Sequence, residues 1–206
     1  MGGVFVTFEG GEGSGKTTQM RRLATVLRER GRTVLETREP GGTVGAELVR
    51  GRLLDGSAQR WGEHAEAALF AAARADHVAA RIVPALERGE IVLCDRFVDS
   101  SRAYQAADPL LPHLERAAVG GTTPDLTLIY DIDPAIGTAR VRERDGGLDR
   151  FEASDAAELE RRRAVFHRIA ADEPDRCALI DAAGTPDEVH ARTLEVVGAR
   201  QPDLLA

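Results

Sequence analysis

The sequence predicts a doubly wound α/β fold, with five parallel strands covered by helices on both faces. Three observations predict it. Short β-branched and apolar runs alternate with stretches of helical periodicity, the pattern of βαβ units. A glycine-rich loop, Gly10-Gly11-Glu12-Gly13-Ser14-Gly15-Lys16-Thr17, separates the first such run from the first such helix. A buried-strand pattern at Ile91-Val92-Leu93-Cys94 runs directly into Asp95-Arg96, at the strand end where sheets of this kind place their ligands.

In chain order, Val4-Phe5-Val6-Thr7-Phe8 reads as a strand over residues 4–9. Met20, Leu23, Ala24 and Leu27 recur at helical spacing, and Gly31 stops that helix after Arg30. Residues 33–37 are a short second strand, 38–43 a loop, and 44–54 a helix with Leu48 and Leu53 inward. A long helix over 63–87 carries Leu69, Phe70, Ala73, Ile82, Val83 and Leu86, and Gly89 ends it. After the strand at 91–94, helical segments cover 98–106 and 110–119, and Leu126-Thr127-Leu128-Ile129-Tyr130 is a fourth strand. Pro134 suits the first turn of the next helix. A charged, glycine-containing segment, 142–151, interrupts it; helix 155–172, a strand at 178–180 and a closing helix with Val189, Leu194 and Val197 follow. With no linker, repeat or low-complexity tract, residues 1–206 read as one domain with two mobile parts, the 44–87 helices and the 142–151 segment.

The loop at residues 10–17 fits G-x-x-x-x-G-K-[ST] in the strand–loop–helix context that the P-loop requires. Glycines let successive backbone N–H groups wrap an anion, and the helix N-terminus adds partial positive charge. Lys16 would reach the β- and γ-phosphates, and the Thr17 hydroxyl would hold Mg²⁺. Lys16 is also the only lysine in a chain whose other cations are arginine, which suits a position needing a compact ammonium.

Composition narrows the rest. A chain of 206 residues, 43% hydrophobic and 30% charged, can bury a full core. A net charge of −7 argues against broad nucleic-acid or membrane-surface binding, so an anion site must be a local arginine cluster. Cys94 and Cys177 lack ligand or redox spacing and read as buried thiols in a reducing compartment. With no signal-peptide pattern and no long apolar run, the expected compartment is the cytoplasm. His64, His77, His113, His167 and His190 show no metal-site spacing and read as surface or packing residues.

Beside the P-loop, Asp95 suits a Mg²⁺ role and Arg96 can fork onto phosphate oxygens. Arg140, Arg142, Arg144 and Arg150 surround Asp145-Gly146-Gly147-Leu148-Asp149, where the glycines would let the segment close as an arginine-bearing lid. Alternating acids there also fit a solvated face, and Arg161-Arg162-Arg163 reads as part of an ordinary amphipathic helix. Arg38, Phe70 and Arg74 (i, i+4), with Ser101, Tyr104 and Gln105, form a candidate acceptor site. A phosphate monoester acceptor needs no general base, because its second pKa of about 6 leaves it mostly dianionic.

Phe8 to Thr18, Thr37-Arg38-Glu39-Pro40-Gly41-Gly42-Thr43, Phe70 to Arg74, Asp95-Arg96-Phe97, Ser101 to Gln105 and Leu148-Asp149-Arg150-Phe151-Glu152 together resemble the bacterial thymidylate kinase family over nearly the full chain. The resemblance implies a nucleoside monophosphate kinase type of P-loop NTPase fold with a lid at about 142–151. It implies transfer of the γ-phosphate of ATP to dTMP with Mg²⁺, in a homodimer. Gly10 to Thr18 would bind ATP, with Thr17 and Asp95 at the metal. Arg38 and Arg96 would hold the dTMP phosphate, Phe70 would stack the thymine and Arg74 would donate to its O4. Ser101 would face N3, Tyr104 would crowd C2′, Glu12 would take the 3′-hydroxyl and Gln105 would border the base. Lys16, Arg96 and Arg150 would be catalytic. Gly13 in the P-loop resembles the type that carries its catalytic arginine in the lid, with Arg142 or Arg144 stacking on adenine. On the residues alone, a kinase for another monophosphate and a nucleotide-driven switch remain open; only the switch needs no second anion pocket.

Overall fold

Strands form where β-branched and aromatic residues cluster: β1 (Val4–Gly10), β2 (Val34–Arg38), β3 (Ile91–Asp95), β4 (Leu126–Asp131) and β5 (Cys177–Asp181). They pair in parallel, in the order β2-β3-β1-β4-β5. The computed structural model describes residues 2–105, 108–145 and 155–206. Parallel neighbours need long crossovers, and helices supply them. Helix α1 (Lys16–Glu29) joins β1 to β2. Helices α2 (Val44–Leu54), α3 (Glu63–His77) and α4 (Val83–Glu87) lead to β3. Then α5 (Val98–Tyr104) and α6 (Leu111–Val119) lead to β4, and α7 (Pro134–Asp145) and α8 (Ala156–Asp172) to β5. Helices α9 (Pro186–Arg200) and α10 (Pro202–Leu205) follow the last strand.

Alternation along the strands sends side chains to both faces of the sheet, where they join three clusters. Val6 and Phe8 meet Met20, Leu23 and Leu27 of α1 and Val189 and Val197 of α9. Phe5, Val92 and Cys94 face the other way, against Val78, Ile82 and Phe97. Ile129 and Cys177 pack on Phe166 and Ile169 of α8. The fully buried leucines and phenylalanines contribute roughly 1.5–3 kcal/mol each by leaving water. Among the described residues, no helix is long and apolar enough to cross a membrane.

The expected helix over 63–87 is one helical path, but a wide π turn at Val78–Ile82 divides it. Pro84 lies just beyond, without an N–H and with its ring against the carbonyl four residues back, which loosens the ladder upstream. Leu48 does not point inward as expected. It is 72% exposed, as is Val44 one turn earlier at 84%, while Leu53 is buried. A predicted break at 142 is also corrected, since α7 runs on to Asp145. The rest of the expected lid falls outside the described residues, apart from that helical start.

Register places the functional residues. Asp95 pairs with Phe8 on one side and with Arg38 on the other. The start of the glycine loop, Arg38 and Asp95 therefore lie together at the carboxyl edge of the sheet, where such folds bind ligands.

Candidate active site

The glycine loop closes tightly between β1 and α1. Gly13 and Gly15 take left-handed φ values of 69° and 87°, which suit residues without a Cβ. A Cβ on Gly13 would also overlap the backbone of Gly137 in α7. No side chain fits at position 13 while α7 lies against the loop, so a cation there would have to come from elsewhere. Lys16 is buried, and its Nζ donates to Gly10 O at 3.0 Å, Gly11 O at 2.7 Å and Ser14 Oγ at 3.3 Å. Burial lowers its pKa and Arg96 lowers it further, to about 8, against the opposing pull of Glu12, Asp95 and Glu9. Thr17 donates its hydroxyl proton to Asp95 Oδ2.

Arg96 follows β3 with φ of 70°, the only non-glycine residue with positive φ among those described. Such a backbone costs about 1–3 kcal/mol. It is held by an N–H bond to Phe8 O at 3.0 Å and by its guanidinium, which donates to Glu12 at 2.6 Å and Ser100 Oγ at 3.0 Å. Tyr104 donates to the same Glu12 oxygen at 2.8 Å. Burial would raise Glu12, but Arg96, then Lys16, Tyr104 and Arg162, bring it down to about 2. Glu9 lies fully buried beneath, accepting from Phe97 N and Ser100 Oγ at 2.6 Å each. Burial and the nearby Asp99 push it up to about 7.

A cleft of about 360 Å³ opens beside the loop, within the usual range for small-ligand sites. Glu12, Gly13, Gly15, Lys16, Thr17 and Thr18 line its P-loop side. Arg38, Phe70, Arg74, Asp95, Arg96, Ser101, Tyr104 and Gln105 are among the residues lining the rest. The candidate acceptor residues thus meet in one place. Arg38 pairs with Glu47 at 2.9 Å. Arg74 is buried and donates Nε to Glu39 at 2.6 Å and Nη2 to Phe97 O and Ser101 Oγ at 3.0 Å each. Gln105 Oε1 is a buried acceptor without a partner among the described residues.

Gly10 and Gly11 border a smaller recess toward α7 and α8, and Ser14 is buried behind the loop. Arg142 is exposed on α7 and is not among the residues lining the cleft. Arg150 lies outside the described residues. Arg140 is occupied elsewhere, donating to Ala182 O and Gly184 O at 3.1 and 3.0 Å.

Several residues here were not singled out from sequence. Arg50 lines the cleft and donates to Pro40 O at 2.7 Å. Glu39 and His77 support Arg74 from behind; His77, read as a surface or packing residue, is fully buried in polar contacts. Arg162 corrects the reading of the Arg161–Arg163 run. It is buried with its guanidinium 4.3 Å from the Tyr104 ring centroid, and Arg96 sits 5.1 Å from the same ring. Only Glu39 left a trace, as part of the run between Thr37 and Thr43. Arg162 had none, because one turn of a charged helix looks like another.

An amide-lined loop at a helix N-terminus, facing a pocket of arginines across one cleft, defines a P-loop phosphotransferase with two nucleotide sites. The family model described as "Thymidylate kinase" matches residues 8–193. A thymidylate kinase of Caulobacter vibrioides is 49% identical over 203 residues, covering 96% of this chain and 97% of that protein. One of Rhizorhabdus wittichii is 49% identical over 210 residues, covering 98% and 100%. The crystal structure of thymidylate kinase from Ehrlichia chaffeensis superposes with a TM-score of 0.77 at 34% identity, covering 96% of this chain and all of that one. The chain belongs to the thymidylate kinase family and is an ATP-dependent kinase.

Proposed function

We infer that this site transfers the γ-phosphate of ATP to dTMP, giving dTDP. The observation that carries the reading is the shared cleft, in which the P-loop and the Arg38–Arg74–Arg96 pocket border the same space. ATP lies along the main-chain amides, and Lys16 exchanges its carbonyl contacts for phosphate oxygens. The dTMP phosphate takes Arg38 and Arg96, and the base lies over Phe70 with its O4 toward Arg74. Ser101 and Gln105 border the ring, while Tyr104 and Glu12 meet the sugar edge. An oxygen of the dTMP dianion bonds to the γ-phosphorus as the bond from that phosphorus to the β–γ bridging oxygen breaks. No proton need be removed from the acceptor, so positioning and positive charge supply the catalysis.

Thr17 and Asp95 offer adjacent hard oxygens beside the loop, the donor set that Mg²⁺ takes together with phosphates and water. Bound there, the ion would neutralise charge on the β- and γ-phosphates. Arg150, carried by a lid at about 142–151, would bring its cation to the transferring group, with Arg142 or Arg144 at the adenine. All 206 residues act as one catalytic unit in the cytoplasm, in keeping with the two unpaired buried thiols. The enzyme works as a homodimer. Val44 and Leu48 support this, as apolar side chains one turn apart on the surface of α2. Sedimentation of Leu48→Glu is expected to show monomers; an unchanged dimer would remove α2 from the interface.

The test is purified protein with ATP, Mg²⁺ and each nucleoside monophosphate in turn. ADP is expected to accumulate fastest with dTMP. Equal ADP with and without acceptor would replace this reading with a nucleotide-driven switch.

A further inference from the structure

Behind the acceptor pocket lies a buried chain of hydrogen bonds that the reaction does not call on directly. Glu39 is 5% exposed, Arg74 4% and His77 not at all. Arg74 and His77 stand three residues apart on α3 and grip one carboxylate, with Arg74 Nε on Glu39 Oε2 at 2.6 Å and His77 Nδ1 on Oε1 at 2.9 Å. On its other side, His77 Nε2 meets Thr37 Oγ1 of β2 at 2.6 Å. The chain therefore runs from a strand of the sheet, through imidazole and carboxylate, to the guanidinium lining the cleft.

Donor accounting gives the chain a direction. A carboxylate can only accept, so Nδ1 carries a proton; in the neutral ring Nε2 then accepts from the Thr37 hydroxyl. Arginine has five N–H donors. Glu39 takes the one on Nε, and Phe97 O and Ser101 Oγ take the two on Nη2. Among the described residues, the two donors of Nη1 stay outside this network, on a side chain whose tilt and roll are fixed by three partners. The Phe97 ring beneath, 5.3 Å from the guanidinium carbon, holds the plane. Gly42 packs on the other end. A Cβ there would lie 2.5 Å from His77 Nε2 and 2.6 Å from Thr37 Oγ1, so the loop that begins at Arg38 is seated on the same hydrogen bond.

We propose that His77 and Glu39, anchored on Thr37, are positioning residues that aim Arg74 Nη1 at the acceptor base and so set the preference for a 4-keto over a 4-amino pyrimidine. An arginine cannot turn into an acceptor, so a fixed one rejects an amino group at ring position 4. A loose one can swing away and tolerate it. The proposal rests on the reading of Arg74 as the base contact, and the experiment separates the two.

Turnover of dTMP and dCMP is measured for the wild type, Arg74→Ala, His77→Leu, His77→Asn, His77→Gln and Thr37→Val, with melting curves for each. In His77→Leu the KM for dTMP should rise roughly tenfold and the dTMP-over-dCMP ratio of kcat/KM fall by a similar factor. The kcat at saturating dTMP and the KM for ATP should stay within about twofold. Asparagine, with its amide N–H near the Nδ1 position, should restore most of the preference; glutamine, reaching toward Thr37 instead, should not. Thr37→Val, which keeps the side-chain volume, should shift the ratio the same way by less, and it decides the matter if His77→Leu fails to fold. An unchanged ratio in both His77→Leu and Thr37→Val, with Arg74→Ala still losing it, overturns the positioning role. A fall in kcat with a rise in both KM values would also overturn it, by making His77 a fold residue. If Arg74→Ala keeps the wild-type ratio, the base contact itself is wrong.

Discussion

In the glycine loop, the groups proposed to meet phosphate are main-chain N–H donors and one side chain, Lys16. Across the cleft the polar groups are guanidiniums, each already engaged: Arg38 with Glu47, Arg74 with Glu39, Arg96 with Glu12. The first half is one continuous run of residues that α1 and β1 hold in shape. The second draws on β2, α2, α3, β3 and α5, and its pairs range from the exposed Arg38–Glu47 through the half-buried Arg96–Glu12 to the buried Arg74–Glu39. Removing a group from the cradle removes chemistry; removing one from the buried Arg74–Glu39 pair of the pocket also strands a charged partner out of water. Function and stability should therefore separate in one half and travel together in the other.

The largest expected effect breaks the pocket. Glu39→Ala leaves Arg74 and His77 without their shared acceptor and should cost about 3–5 kcal/mol of stability in denaturant unfolding. A loss below about 1 kcal/mol, the range of exposed pairs, would show that the pocket is no more interlocked than the surface. Lys16→Ala sharpens the contrast from the other side. It should lower kcat roughly 10²- to 10³-fold, with dTMP affinity by calorimetry and the melting curve close to wild type. Retained turnover would remove the P-loop from the chemistry. Arg162→Met should act more gently, because a desolvated cation over a ring contributes about 1–2 kcal/mol. The preference for dTMP over its ribo-analogue is expected to fall roughly 3- to 10-fold, and an unchanged ratio would make Arg162 a packing residue.

The smallest effect is in pH. Glu12 sits near 2 in the folded protein, below its ordinary 4.5. Its contribution is therefore full above about 4.5 and is lost as pH falls through that value toward 2. Denaturant unfolding at pH 5 and pH 3 should show a smaller drop for Glu12→Gln than for wild type. Equal drops would place the acid sensitivity on other carboxylates.

The same contrast explains what the sequence made legible. The cradle is local, so eight consecutive residues and their flanking periodicities announced it, and all five strands stood out as apolar runs. Most of the pocket became readable through short runs tied to a known family, not through spacing. What stayed hidden was whatever depends on packing between distant segments. His77 is unremarkable on α3 until Glu39 and Thr37 of β2 close on it. Arg162 is one of three consecutive arginines, and only the turn of α8 sends that one to Tyr104. Leu48 fits a helical period, yet α2 turns it to solvent with Val44, because periodicity shows that a helix has an apolar stripe and not what covers it.

The central claim is that the two pockets face each other and hold different nucleotides. The most direct measurement is a crystal structure with dTMP and a non-hydrolysable ATP analogue. The triphosphate should lie in the Gly10–Thr17 loop, with the dTMP phosphate between Arg38 and Arg96 and the thymine O4 within hydrogen-bond distance of Arg74 Nη1. A dTMP phosphate seated away from Arg38 and Arg96, or a base turned away from Arg74, would contradict it.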